Sequence, residues 1–568
     1  MRYRWNILPD PPEEELREIS RTAGIPRVLA RVLYHRGYSS PGEVESFLAP
    51  DLTGGHDPSL LTDLPAAARR LRRAVAGEES IRIHGDYDVD GVTATALLVR
   101  VARSMGGRVD ARIPHRNVEG YGLSMEAVEE AASDGVDLLV TVDCGITAIE
   151  EAGRARELGL DLIITDHHTP TERLPHALAV INPRRPGDAY PFKDLAGVGV
   201  AYKLALALDA PCPEPCLMDY LDLVALGTTA DVVPLRGENR MLVKYGLIQA
   251  AQTCWPGLDA LMDRVGLKRD GLSAGHLVFN VAPRINAAGR MAHAEAALEM
   301  FLTDDPFRAS QLARELDEQN DLRREADEQT LNLALELIRD QGGVADRRAL
   351  VLCAEDWHPG VIGIVASRLA ERYNRPTVLV SFEGELGRGS ARGIDGFDLY
   401  DALASCAEHL EAFGGHRHAA GLTLSRAKQH EFVASFEEVA ASRLSDREIR
   451  PELEVDAEVR LEELTPEVLE VLKRFEPFGN KNRRPLFLAR DVQLRGSARR
   501  VGSDRSHLRF SVRRDGEPPL DVIGFGLGDR ASELEQGEAD LVFAFEENEF
   551  RGVRRPQLRL KDLRVQAP

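Results

Sequence analysis

Between Ile81 and His168 the chain alternates short apolar runs with segments of helical spacing, and an acid or a histidine follows each apolar run. Ile81-Arg-Ile83, Val136–Val142 and Leu160–Thr165 read as strands, the second almost continuously apolar; Gly91–Val101 and Ile149–Leu158 read as helices. Apolar strands alternating with helices predict an α/β fold with a doubly wound parallel sheet. Such a sheet binds its ligands beyond the carboxyl ends of its strands. The groups collected there are His84-Gly-Asp86-Tyr-Asp88-Val-Asp90-Gly91, Thr141-Val-Asp143-Cys-Gly145 and Asp166-His167-His168, with Ala230-Asp231 following a helical segment. One strand-end aspartate alone reads more readily as a helix N-cap, and a lone histidine pair as a surface feature. Four such clusters read as one site. Oxygen and imidazole ligands without thiolate favour Mn²⁺ or Mg²⁺. More ligands than one ion needs points to two ions and to hydrolysis, with phosphate esters among the favoured substrates.

A chain of 568 residues exceeds one core. The pattern divides it into a helical segment 1–75, the first α/β domain 76–304, a bridging helix 305–345, a second α/β domain 346–450 and a strand-rich domain 451–568. The bridging helix is the polar run Pro306–Asp340, with Leu312, Leu316, Leu322, Leu331, Leu335 and Ile338 at helical spacing. The second α/β domain comprises the strands Ala349–Cys353 and Thr377–Val380 around the helix Gly360–Tyr373. No run of eighteen apolar residues occurs, so no transmembrane helix is expected. The N-terminus carries no apolar signal core, and a cytoplasmic protein with no membrane partner is expected. Cys212 and Cys216, among six cysteines, read as a surface turn and not as a zinc site.

The net charge of −21 opposes general nucleic-acid binding. One stretch runs the other way. Between Lys481 and Arg514, eleven basic residues, including Arg483 and Arg509, face only Asp491 and Asp504. They accompany about five short strands, which predict a small closed β-barrel. With Phe487 and Phe510 nearby, this reads as an OB-fold for single strands.

The HxxxDxD run, the Asp-Cys-Gly turn, the Asp-His-His triplet and the later aspartate resemble the DHH phosphoesterase superfamily. The resemblance implies one ion held by His84, Asp88 and Asp143, and a second by Asp90, Asp143, His167 and Asp231. It puts His168 nearer the scissile phosphate, Asp166 behind a histidine, and Asp86 outside the ligand set. Phe413-Gly414-Gly415-His416-Arg-His418 resembles the glycine-histidine motif of the DHH-associated domain, and Gly389-Ser390-Ala-Arg392 its basic partner. Adjacent glycines admit a phosphate to backbone N–H groups. Trp357-His358-Pro opens a helix, where His358 reads as an anion contact or a cap.

Two further segments resemble the RecJ-type exonucleases of that superfamily. They are Pro283-Arg284-Ile-Asn286-Ala-Ala-Gly289-Arg290, and Pro114-His115-Arg116 through Gly122. Arg116, Arg284 and Arg290 are candidate phosphate grips, since arginine's fork binds two oxygens, with structural ion pairs as the competing reading. The resemblance implies a metal-dependent 5′→3′ exonuclease acting on single-stranded DNA and releasing 5′-mononucleotides. It implies a role in DNA repair and recombination, with single-strand-binding protein and a helicase as partners. The alternatives are a DHH phosphodiesterase for short RNA or cyclic dinucleotides, and a non-catalytic DNA-binding scaffold. The filled ligand positions oppose the scaffold.

Overall fold

In the computed structural model the described residues are all except 1–2, 117–118, 209–215, 292, 356, 447–448, 515, 537, 551–552 and 566–568. Cys212 and the turn around it lie outside them. The chain forms two compact units that interleave along the sequence. One comprises residues 1–44, 323–473 and 485–568; the other comprises 45–322 and 474–484.

The first residues already depart from the all-helical expectation. Arg4–Ile7 is a strand (β1). Its partner is a parallel strand far downstream, so no local pattern reveals it.

In the unit built on 45–322, five strands form a wholly parallel sheet: β2 (Ser80–His84), β3 (Arg108–Arg112), β4 (Leu138–Val142), β5 (Asp161–Thr165) and β6 (Ala179–Ile181), in the order β3-β2-β4-β5-β6. Every residue of β4 is buried, as its unbroken apolar run requires when helices cover both faces. The helices Val89–Ser104, Gly197–Ala207 and Leu221–Ala230 pack in one core with β2 and β4. The expected doubly wound sheet is present; β2 ends on His84, just before Gly85-Asp86, and β4 and β5 end just before Asp143 and Asp166.

The long helix runs Pro306–Asp340, as its periodicity predicts. Leu312 and Leu316 join the core of the parallel-sheet unit, and Ala334 and Ile338 a core of the other. That other unit holds a five-stranded sheet of β7 (Leu350–Glu355), β8 (Thr377–Glu383), β9 (Leu386–Arg392), β10 (Ala412–Gly415) and β11 (Ala419–Ser425), ordered β10-β11-β9-β8-β7. Glu452–Val455 (β12) is the partner of β1.

The C-terminal sheet has seven strands: β13 (Ala457–Glu458), β14 (Phe487–Val492), β15 (Leu494–Val501), β16 (His507–Val512), β17 (Leu520–Gly524), β18 (Ala539–Phe550) and β19 (Val553–Val565), ordered β13-β14-β18-β19-β17-β16-β15. Register breaks in β14, β15 and the β18–β19 pair bend it. β15 escapes sequence reading because its run Leu-Arg-Gly-Ser-Ala-Arg-Arg-Val is mostly exposed and polar. Phe487 and Phe510, expected at a binding surface, are core residues. An exposed aromatic in this domain is Phe525, at 53 %.

Candidate metal centre

The acids converge because three parallel strands deliver them to one edge. Asp88 N-caps the helix Val89–Ser104, its Oδ1 accepting from Gly91 N at 3.1 Å. It is thus both a cap and a site carboxylate. Asp90, in the first turn, accepts from the backbone N–H groups of Gly197 and Val198 at 2.7 and 2.8 Å. These are the free donors at the start of the helix Gly197–Ala207, a favourable seat for a carboxylate. Asp143 adopts φ +61° in its turn, a conformation aspartate tolerates. A Cβ on Gly197 would stand 2.4 Å from Asp143 Oδ1, so only glycine leaves room for that oxygen. Asp231 follows the last turn of Leu221–Ala230, its N–H donating to Gly227 O at 3.0 Å.

Three overlapping groups result, each with its ligand atoms within 4.8 Å of one another: Asp143, His167 and His168; Asp90, His167 and Asp231; and Asp86, Asp88 and Asp143. His167 Nε2 lies 3.1 Å from Asp143 Oδ1, 3.6 Å from Asp231 Oδ2 and 3.9 Å from Asp90 Oδ2. His167 Nε2, Asp143 Oδ1 and Asp86 Oδ1 are buried without a hydrogen bond. Buried polar atoms seldom stay unsatisfied, and lone pairs aimed at one another are what divalent cations require. The donor set fits such ions.

His84 stands apart from these groups. Its Nε2 is 3.2 Å from Gly122 O, a contact in which the imidazole donates, leaving that nitrogen no lone pair for an ion. Asp86, which sequence reading sets outside the ligands, joins Asp88 and Asp143 instead.

Charge crowding registers in the acidities. Burial, then the neighbouring Asp88, pushes Asp90 up to about 7. Asp143 is held well above the carboxylate range by burial and by Asp90, Asp88 and Asp231, as is Asp231 by burial and by Asp90 and Asp88. Burial lowers His167 to about 3 and His84 to about 4, so both are neutral. His168 goes the other way. Burial opposes its charge, but the Asp166 carboxylate, 2.8 Å from Nδ1, raises it to about 9. Asp166 also accepts from the N–H groups of His167 and His168 through Oδ1, and from Ile146 N through Oδ2. One buried carboxylate therefore ties the His-His loop to the Asp-Cys-Gly turn.

Other residues around the site have no role assigned from the sequence, although Tyr121 lies in the Pro114–Gly122 segment singled out there. The Tyr121 hydroxyl lies within 3.3 Å of both His168 ring nitrogens and donates to Asp143 O at 3.2 Å. Asn182 donates to His168 O at 2.9 Å. The charge of Arg184 acts on both His167 and Asp231. Only the position of Asn182 and Arg184 just after β6 could have marked them.

Among the expected phosphate grips, Arg116 stacks on Tyr87 of the acidic loop, 5.0 Å from the ring centre. Asn286 and Arg290 are half-buried on the helix Ala282–Met291. That helix abuts the same loop, since a Cβ on Gly289 would stand 2.9 Å from Tyr87 O. Arg284 is committed elsewhere, to Asp317 at 2.9 Å and Asn280 O at 2.6 Å; it is the structural ion pair. Arg483 falls in the 474–484 segment of the parallel-sheet unit and not in the barrel.

In the other unit, register aligns Gly414, Gly421 and Ser390 across three strands, and Arg392 donates to Ser390 Oγ at 3.0 Å. Gly415 and His416 are exposed beside them. His358 caps its helix, accepting from Gly360 N at 3.0 Å. Arg509 is exposed and pairs with Asp521 at 3.1 Å. Its row runs Arg499–Arg509–Ile523–Arg559 over four adjacent strands, and Arg559 lies 5.3 Å from the exposed Phe525 ring.

Comparison with known proteins accounts for this arrangement. Residues 80–228 match the DHH family N-terminal domain, 346–442 the DHHA1 domain and 455–562 the RecJ OB domain. The chain is 36% identical to the single-stranded-DNA-specific exonuclease RecJ of Escherichia coli, over 95% of this chain and 97% of that one. It is 37% identical to that of Thermus thermophilus, over 99% and 79%. The solved structure of Thermus thermophilus RecJ in complex with Mn²⁺ superposes with a TM-score of 0.86 at 35% identity, covering all of this chain and 80% of that one. A second structure, exonuclease RecJ bound to manganese, matches with a TM-score of 0.60 at 41% identity, covering 68% and 96%. With such identity along nearly its whole length, the chain belongs to the RecJ exonuclease family.

Proposed function

We propose that the protein is a metal-dependent, single-stranded-DNA-specific exonuclease that hydrolyses phosphodiester bonds from the 5′ end and releases 5′-mononucleotides. The observation that carries this reading is the set of three overlapping ligand groups linked through Asp143 and His167, in a chain of the RecJ family. We assign Asp86, Asp88 and Asp143 to one ion and Asp90, Asp143, His167 and Asp231 to the other, with His84 behind the site. Two Mn²⁺ or Mg²⁺ ions bound there supply Lewis-acid charge and an attacking water usable at neutral pH.

The protein's own groups do the rest. Asp166 keeps His168 protonated and fixes its ring, so the imidazolium offers its Nε2 proton to a phosphoryl oxygen that gains negative charge in the transition state. Asn182 and Tyr121 hold His168 and the Asp143 turn in place. Arg116 and Arg290 flank the acidic loop as phosphate contacts, with Asn286 on the same helix. Ser390, Arg392, Gly414, Gly415 and His416 form a second contact surface for the DNA strand, and Arg509 with its neighbours a third. The segments 1–75, 76–304, 305–345, 346–450 and 451–568 serve as the functional divisions, except that 474–484 belongs with the metal centre. To this reading we add, as parts of the same proposal, a role in DNA repair and recombination, a cytoplasmic location, and association with single-strand-binding protein and a helicase.

The test is digestion of 5′-labelled single-stranded DNA by purified protein with Mn²⁺, with and without chelator. Release of labelled mononucleotide, abolished by chelation, is expected. Activity confined to cyclic dinucleotides or dinucleotides would refute the reading in favour of a small-substrate phosphodiesterase.

A further inference from the structure

Asp231 sits on an awkward piece of backbone. The next residue, Val232, has φ +60° and is 59 % exposed. A β-branched residue in the left-handed region is strained, and no burial of its side chain offsets the strain. Something must hold the turn Val232–Leu235 where it is, because this turn fixes the exit of the chain from Asp231.

The holder comes from far downstream. Asn480 Nδ2 donates to Val232 O at 2.6 Å, and Asn480 O accepts from Leu235 N at 2.8 Å, so one residue staples both ends of the turn. Arg236 Nε donates to Lys481 O at 3.1 Å. Gly479 presses on Leu235 so closely that a Cβ would stand 2.6 Å from its Cδ1. The segment carrying Asn480 is itself anchored. Arg240, 2 % exposed, donates to the carbonyls of Phe47, Arg474 and Glu476, and Asn482 ties Phe475 O to Pro477 O.

We propose that Asn480 is a positioning residue of the metal centre: it clamps the strained Val232 turn and thereby holds the Asp231 carboxylate at its place beside His167 and Asp90. This rests on the reading of Asp231 as a ligand. Side chains that orient metal ligands typically contribute 10–100-fold to affinity.

The experiment is Mn²⁺ binding to the full-length protein by calorimetry, with the melting temperature taken in chelator. Asn480→Asp keeps the shape and removes the donor, so it serves even if Asn480→Ala folds poorly. Weakening of one Mn²⁺ site by roughly 10-fold or more is expected, with the metal-free melting temperature little changed. Val232→Gly adopts the left-handed turn without strain, so in that background Asn480→Asp should recover most of the lost affinity. Recovery is the result a merely structural role does not produce. Two Mn²⁺ ions bound as tightly as in the unmodified protein, or a defect undiminished by Val232→Gly, would overturn the proposal. Asp231→Asn separates the two readings: if it too binds both ions normally, the assignment of Asp231 as a ligand fails first.

Discussion

Asp143 Oδ1 and His167 Nε2 face each other at 3.1 Å, buried, and neither makes a hydrogen bond. Two acceptors in this relation repel unless a cation or a proton lies between them. Asp143→Ala removes the carboxylate common to both proposed ions. Loss of exonuclease rate by at least ~10²–10³ is expected, with folding intact by circular dichroism and Mn²⁺ stoichiometry reduced in calorimetry.

Gly197→Ala should mimic that loss while leaving every proposed ligand in the sequence. Its Cβ would stand 2.4 Å from Asp143 Oδ1, against a carboxylate with nowhere to retreat. Weaker Mn²⁺ binding and slower digestion are expected. An enzyme unaffected by this substitution would show that Asp143 has freedom the packing denies it.

The acidities make stability depend on pH in the metal-free protein. Asp90, raised to about 7, and His168, raised to about 9, both bind protons more tightly in the folded chain. Their contribution is lost as pH rises through those values. His167 and His84, lowered to about 3 and 4, act in the opposite sense, but only below the unfolded imidazole value of about 6.5. Between about pH 6.5 and 9, therefore, the melting temperature in chelator should fall as pH rises. Mn²⁺ should reverse the trend, because it binds the deprotonated ligands and its affinity grows with pH. Thermal melts across that range, with and without Mn²⁺, check the sign.

Asp166→Asn removes the charge that keeps His168 protonated. The histidine should then titrate nearer its ordinary value, about 6.5. The alkaline limb of the rate profile should move down accordingly, and kcat should fall by roughly 10–100-fold. An unmoved limb would assign that titration to another group.

Much of this was legible in the sequence, for physical reasons. A buried parallel strand needs an unbroken apolar run, so β4 and β5 stood out, and Pro306–Asp340 declared itself through repeated leucines. The acids were visible because they followed those runs. Which acids face the site was not visible: Asp86, Asp88 and Asp90 share one loop, and spacing alone does not say that Asp86 turns in while His84 bonds to Gly122 O. Aromatic identity also misled. Phe487 and Phe510 fill the barrel core, whereas Phe525, beyond the end of its strand, is exposed. Arg284 and Arg483 looked like their neighbours in composition, and only tertiary partners separate them.

The barrel row yields a test of its own. Replacing Arg499 and Arg509 by alanine should weaken binding of long single strands and reduce the salt dependence by about one unit of slope per arginine. Phe525→Ala should cost about 1–3 kcal/mol if a base stacks there. Hydrolysis of very short substrates should be unchanged in both variants.

The interleaving of the two units bears on how the protein can be dissected. A cut at residue 450 looks like the removal of one module, but it also takes Arg474–Arg484 from the parallel-sheet unit. The truncated enzyme would lose the backbone partners of Arg240 and Leu235 along with its barrel. A defect in such a fragment is therefore ambiguous, and domain exchange between relatives must carry this segment with the catalytic half. In this sense the barrel is not a detachable cassette: the chain returns to its catalytic core before the barrel is complete.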